Sequence, residues 1–268
     1  MAGEAVSNAF LLQSASLLLG PKDDLFLLND AAHSVGLVKN IQITNEPSYT
    51  ELTQGVKNNI VDSVMTKNTS RATMEVYEYT AKNLMYSLGL DGSVVTATGA
   101  DHAPASNIAP AATTATITAD VTTTFGAGDW VEISQGNDSH IVKLTSAAYT
   151  SSTLLTFTGY AVPAGLTFVA ATTKIRKVRR IDVGSIEDQP YLSAKMVFGK
   201  MSDGKPMTIL FPKIRITKGF NLNSQTDNYS NMPFEFTPYQ ITAADSSYAK
   251  FVSSGLGLGN AYVYRAVA

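Results

Sequence analysis

Residues 231–240 read NMPFEFTPYQ and set one carboxylate, Glu235, between two phenylalanines. A glutamate enclosed by aromatic rings is how some hydrolases raise the pKa of a catalytic acid, so the direction of its neighbours decides what it is. In an extended chain Phe234 and Phe236 share one face, while Glu235 and Thr237 point to the other. Glu235 therefore reads as the outward position of a half-buried strand. The three histidines, His33, His102 and His140, fall in three separate segments with no ligand spacing. No HExxH, GxSxG or P-loop pattern occurs. The stretch SGLGLGN at 254–260 is glycine-rich, but no helix follows it to present N–H groups to a phosphate. The densest acidic group, Asp182 with Glu187 and Asp188, lacks calcium-loop spacing. The residues assign no catalytic group, no cofactor and no metal, and the reading is of a protein that is not an enzyme.

Composition narrows the class. The chain has 268 residues, enough for two folding units, with 44% hydrophobic and only 16% charged residues. So little charge fits a surface partly covered by partners. The net charge of −2 gives no general footprint for gripping nucleic acid. The one basic cluster, KIRKVRR at 174–180, is interrupted by Ile175 and Val178 and reads as a solvated strand. Cysteine is absent, which removes disulfides, thiolate metal sites and thiol nucleophiles. The apolar run at 9–20 is too short, and too broken by Gln13, Ser14 and Ser16, to span a membrane. The expectation is a protein made in a cytoplasm, with no membrane partner.

The elements are mostly strands. HSVGLVKNIQITNEP predicts a strand ending near Pro47, and NNIVDSVMTKNTSRATMEVYEY predicts two more around a turn at Lys67 to Ser70. Between them, residues 46–60 form a long polar hairpin excursion with isolated anchors at Tyr49, Leu52 and Val56. A helix is predicted over 77–88, where Tyr77, Ala81, Leu84, Met85 and Leu88 recur at helical spacing and Gly89 closes the end. From 93 to about 125 the chain is rich in Ala, Thr, Ser and Pro and reads as a linker. It enters a module of short strands at 129–134, 139–145, 152–158, 166–170 and 173–178. Trp130 faces opposite to Val131 and Ile133. Strands return at 191–199, where Leu192, Ala194, Met196 and Phe198 share a face, and at 207–217, where Pro212 marks an edge or a bulge. The predicted class is mainly β: a β-sandwich domain with one helix, formed by 1–96 and 177–268, carrying an inserted barrel-like or sandwich module at 97–176.

This order of elements resembles the tail tube proteins of long-tailed, non-contractile bacteriophages. The resemblance lies in the apolar N-terminal segment with Gly20-Pro21, in VGLVKNIQITNEP leading into the long hairpin excursion, in the single helix before SLGL, and in NMPFEFTPYQ. The module sequence FGAGDWVEISQGNDSHIVKLTSAAYTSSTLLTFTG is similar to a small β module of related tail proteins. The resemblance implies six-membered rings stacked head to tail into a hollow conduit for DNA delivery, assembled in the host cytoplasm and carried in the virion. It implies other copies of the chain, a tape measure protein and tail terminator and tip proteins as partners, with double-stranded DNA passing without specific binding. The excursion with Tyr49, Leu52 and Val56 is expected to make the contacts between subunits. Asp62 and Glu75 are the expected lumen residues, because a lumen that lets DNA slide should not hold phosphate. A second reading, from another class, is a module that recognises a carbohydrate or cell surface through Trp130 and Tyr149.

Overall fold

The computed structural model describes residues 15–54, 59–92, 100–184, 189–199, 204–221, 229–252 and 258–265. The chain divides into two compact units, residues 1–95 with 183–268, and residues 96–182. Both are built mainly of antiparallel strands.

In the larger unit, β1 (Ala15–Pro21) leads through a 3₁₀ turn (Lys22–Leu27) and the short helix α1 (Asp30–His33) into β2 (Val38–Gln54) and β3 (Asn59–Val76). Neither of the predicted breaks exists. β2 runs through Pro47 to Gln54, and β3 passes straight through Lys67–Ser70 in ladder with β2. Pro47 is tolerated because, among the described residues, β2 pairs only with β3 and is an edge strand whose outward N–H is not needed. Helix α2 (Ala81–Ser87) begins later than predicted, where the Thr80 side chain caps Asn83 N–H. Gly89, at φ +76°, closes it as expected, with Leu90 N–H bonded back to Met85 O at 3.0 Å.

The smaller unit holds β4 (Thr114–Ile117), β5 (Trp130–Gln135), β6 (Asp138–Lys143), β7 (Ser146–Tyr149), β8 (Thr153–Thr156) and β9 (Lys174–Val178). They form two three-stranded sheets, β4-β8-β7 and β6-β5-β9. Val131, Ile133, Val142 and Ile175 from one sheet and Ala115, Ile117 and Leu155 from the other meet in one core, so Trp130 is on the outward face. Three sequence expectations change here. The stretch read as linker up to 125 supplies β4 and the core residues Ile108, Val121 and Phe125. Residues 166–170 are not a strand, although Phe168 pairs with Ile108 across one bridge. The last strand runs to Val178, beyond the expected boundary at 176.

The chain returns to the larger unit with β10 (Leu192–Phe198), β11 (Met207–Lys218), β12 (Met232–Pro238), helix α3 (Tyr248–Phe251) and β13 (Tyr262–Arg265). The sheet order is β1-β10-β11-β12-β3-β2, with β13 on the first half of β11. Pro212 sits where β11 changes neighbours, between the residues paired with β13 and those paired with β12, beside a register shift against β10. Alternate residues on one face (Leu17, Leu19, Ala72, Met74, Val76, Ala194, Met196, Phe234, Phe236) form the main core. The buried Tyr86 of α2 joins it and donates its hydroxyl to Leu19 O at 2.8 Å. On the opposite face, Leu18 and Leu210 are covered by Leu25, Leu28, Ile241 and Phe251. In the β1-β10-β11 half, β1 and β11 thus carry buried apolar residues on both sides. The β12-β3-β2 half is apolar on one.

One buried ion network pins the cover to the sheet. Asp245, 3% exposed, accepts from Lys22 Nζ at 2.8 Å, Lys213 Nζ at 3.2 Å and Thr242 N–H at 2.8 Å. Burial favours the neutral acid, but these bonds outweigh it and hold the carboxyl well below the usual range. A lowered folded pKa adds stability that is complete above the unfolded value near 4 and is lost as the pH falls further. Asp245→Asn is expected to cost about 3 kcal/mol at neutral pH, because two lysines lose their shared counter-charge. Denaturant titrations at pH 7 and pH 2.5 check this, and the difference between wild type and variant should shrink at the lower pH.

Candidate functional site

The β2–β3 hairpin outgrows the sheet. Beyond the Asn45–Ser70 pair, joined by a 2.8 Å side-chain hydrogen bond, it has no further described strand beside it and becomes a two-stranded arm. Its pairs run Pro47–Asn68, Ser48–Lys67, Tyr49–Met65, Thr50–Val64, Glu51–Ser63, Leu52–Asp62 and Thr53–Ile60. Two extra residues on β3, at Thr66 and Val61, make bulges that bend and twist the arm. Directly opposed residues share a face, so Tyr49, Met65 and Ile60 line one side, and Leu52 and Val64 line the other. Tyr49, Leu52, Ile60, Val61, Val64 and Met65 are each between 54% and 64% exposed. An isolated two-stranded hairpin is marginal in water, and this one offers large apolar side chains on both faces.

Of the three expected anchors, Tyr49 and Leu52 lie on the arm, on opposite sides, and Val56 falls outside the described residues. The sequence reading missed Ile60, Val61, Val64 and Met65, because a turn placed at Lys67–Ser70 put them in a strand of their own, apart from the excursion at 46–60. Their signal was the apolar run in NNIVDSVM, which has no matching run in the polar stretch that pairs with it.

The polar face of the β12-β3-β2 half carries Gln42, Thr44 and Glu46 on β2, Arg71, Thr73 and Glu75 on β3, and Glu235 on β12. Two depressions of about 200 and 300 Å³ open on it. Part of its charge is paired. Glu235 Oε1 lies 3.4 Å from Arg71 Nε and accepts from Thr217 Oγ1 at 3.0 Å, with Lys218 directly opposite in register. Glu75 accepts from the Tyr77 hydroxyl at 2.8 Å, which with help from Asn40 holds its carboxyl below the usual range. Lys39 stands opposite Glu75 and lies over the Tyr77 ring. Phe234 and Phe236 are buried on the other side of the strand. Asp62 lies on the arm, with Oδ1 bound to Ser63 N–H at 2.8 Å. Thirteen residues of β3 separate it from Glu75, roughly 40 Å at strand rise, so these two expected lumen residues are not brought together.

In the smaller unit Trp130 and Tyr149 fall in different sheets. Within the basic run 174–180 most cations are paired in place: Lys174 and Arg176 face Asp101, Arg176 also faces Glu132, Lys177 meets Asp129 at 2.7 Å, and Arg180 meets Asp182 at 2.7 Å, while Arg179 is exposed. The histidines stay apart. His33 Nδ1 accepts from Asn29 N–H, His102 packs edge-on against Phe125, and His140 Nε2 meets Tyr160 O. No cluster of potential metal ligands occurs among the described residues. Glu187, Asp188 and most of SGLGLGN lie outside them. No described helix is long and apolar enough to cross a membrane. The sequence matches no protein-family model and no curated protein.

Pairing of Arg71 with Glu235, and the position of Lys218 opposite in register, make Glu235 a screen for these cations. Glu235→Gln is expected to change stability by less than about 1 kcal/mol, since the pair is partly solvated. The same variant should bind a double-stranded DNA fragment more tightly at low salt than wild type does. Fluorescence anisotropy of labelled DNA checks this, and adding Arg71→Ala to the variant should remove the gain.

Proposed function

We propose that this protein is a structural assembly subunit that polymerises through its β2–β3 arm, in the manner of a phage tail tube. Rings of the chain stack into a hollow conduit for DNA, inside a virion, with no catalytic residue. The arm carries the proposal, because its exposed apolar side chains on both faces are what a segment clasped by another copy requires. The remaining supports are structural. The outer edge of β2, seventeen residues long, has no described strand beside it and offers a ladder to a neighbouring copy. The half-sheet with the charge-paired polar face is suited to line a passage for a polyanion, with Glu75 and Glu235 near the root of the arm and Asp62 on the arm itself. Tape measure, terminator and tip proteins are the partners such a conduit has at its core and ends.

Head-to-tail growth needs a donor and an acceptor at opposite ends of the subunit. β2, β3, β11 and β12 all bring a terminus to the root end of the sheet, away from the arm tip. There Leu37, Phe220 and Tyr229 are exposed beside the polar Glu78 and Tyr77. We assign this rim as the acceptor for the arm of the next copy.

Replacing residues 49–66 by Asn-Gly would close the hairpin on the Ser48–Lys67 pair with a two-residue turn. That variant is expected to remain folded and monomeric under conditions where wild type forms tubes or rings in negative-stain micrographs. Normal tubes from it would exclude the arm. Leu37→Asp is expected to block growth separately, and mixing it with the arm variant should yield no polymers longer than a single interface allows. Mass photometry of the mixture reads that length.

A further inference from the structure

The smaller unit carries the only tryptophan of the chain on the outward face of its β6-β5-β9 sheet. Trp130 stands opposite Lys143 on β6 and Val178 on β9. Its ring meets Tyr160 edge-on, with centroids 5.7 Å apart at 79°. Tyr160 is held by its backbone, whose N–H donates to Phe157 O at 3.0 Å and whose O lies 2.9 Å from His140 Nε2. Two cations lie over the same indole: Lys143 Nζ at 5.9 Å and Arg180 Cζ at 5.7 Å from its centroid. Both cations are exposed, and both aromatic rings are half-buried.

The ion pairing around this corner is uneven. The cations of β9, Lys174, Arg176 and Lys177, are committed to Asp101, Glu132 and Asp129. Arg180 has Asp182, an exposed partner on a short link. Lys143 has no carboxylate within ion-pair distance among the described residues, and its contact is the indole face. The corner thus combines an aromatic pair fixed from behind with one unpaired ammonium and one guanidinium poised over the ring.

We propose that this corner binds an acidic saccharide, a pyranose bearing a carboxylate. The C–H face of a sugar ring stacks on an indole, and a carboxylate at its edge takes charge-assisted hydrogen bonds from Lys143 and Arg180. A neutral sugar is disfavoured, because stacking on Trp130 displaces both cations from the ring with nothing to receive them. A uronate replaces those cation–π contacts with ion pairs. Tyr149, in the other sheet, takes no part. The inference stands apart from the conduit proposal, since it uses no residue of the arm or of the larger sheet.

Trp130 is its own probe. Titration of the full chain with an oligogalacturonate at low salt, followed by tryptophan fluorescence, is expected to give a saturable change that weakens as salt rises. A malto-oligosaccharide of the same length should give none. Lys143→Ala and Arg180→Ala, both at exposed positions, should each weaken uronate binding about fivefold. The absence of a saturable response to the uronate, an equal response to the neutral sugar, or an affinity unchanged in both variants overturns the proposal. Tube formation by the same variants is expected to be normal, so this site and the conduit reading fail separately.

Discussion

The larger unit depends on one ladder, β12 against β3. It sets Phe234 beside Met74 and Phe236 beside Ala72 in the core, and among the described residues it is the only strand pairing that joins the β2–β3 hairpin to the rest of the sheet. A slip of one residue would turn both phenylalanines to water and drive Glu235 and Thr237 inward. The cost of burying that carboxylate without Arg71 and Thr217 makes the alternative register inaccessible. The register of β12 therefore fixes two things together: the apolar seat that anchors the arm, and the polar face whose charges are matched across β11, β12 and β3. Glu235 is the hinge of this specificity, and no acidic chemistry needs to be invoked for its place between aromatic rings.

Once anchored, the arm obeys a different balance. The inward half of its backbone is paired within the hairpin, so it can hold strand geometry without a third strand, yet its outer edges are open to solvent and its side chains have nothing described to pack against. Six large side chains fully buried by a partner would each contribute about 1.5–3 kcal/mol. Ordering and association oppose this by an amount of similar size, about 4–15 kcal/mol. A single arm contact is then weak, and only an assembly in which many arms engage at once is firmly held. The two bulges add to this, because a strongly twisted arm fits one curved surface and resists flat edge-to-edge pairing with other arms.

Much of this was legible in the sequence where burial on one face imposes a period. The alternation in YLSAKMVFG, in KIRIT and in PFEFT appears in the structure as predicted, because each strand has one dry side. Legibility failed where that asymmetry is absent. The arm is wet on both faces, so its residues show no alternation, and Pro47 and the polar run at 67–70 imitate the ends of strands. In the smaller unit the stretch before residue 125 looked like linker because its core contributions, Ile108, Ile117, Val121 and Phe125, are widely spaced among small residues. The polar pairing on this face was invisible for another reason: Arg71, Thr217 and Glu235 come together only through the register of three strands.

The same pairing bears on the proposed conduit, in which a chain with twenty Lys and Arg residues would have to present a long polar surface with little uncompensated positive charge. Counterion release drives protein–polyanion binding only where cations are uncompensated. Here Arg71 is paired with Glu235, Lys22 and Lys213 are tied to Asp245, and the basic strand of the smaller unit is matched by Asp101, Glu132 and Asp129. Neutralisation is local in each case, between side chains a few ångströms apart, so it survives physiological salt better than a balance struck over the whole surface. A surface made neutral in this way neither repels a polyanion strongly nor retains it. Lys143 departs from the pattern: its charge lies over an aromatic ring, with no carboxylate within ion-pair distance among the described residues, which is the feature on which the proposed anion site at the Trp130 corner rests.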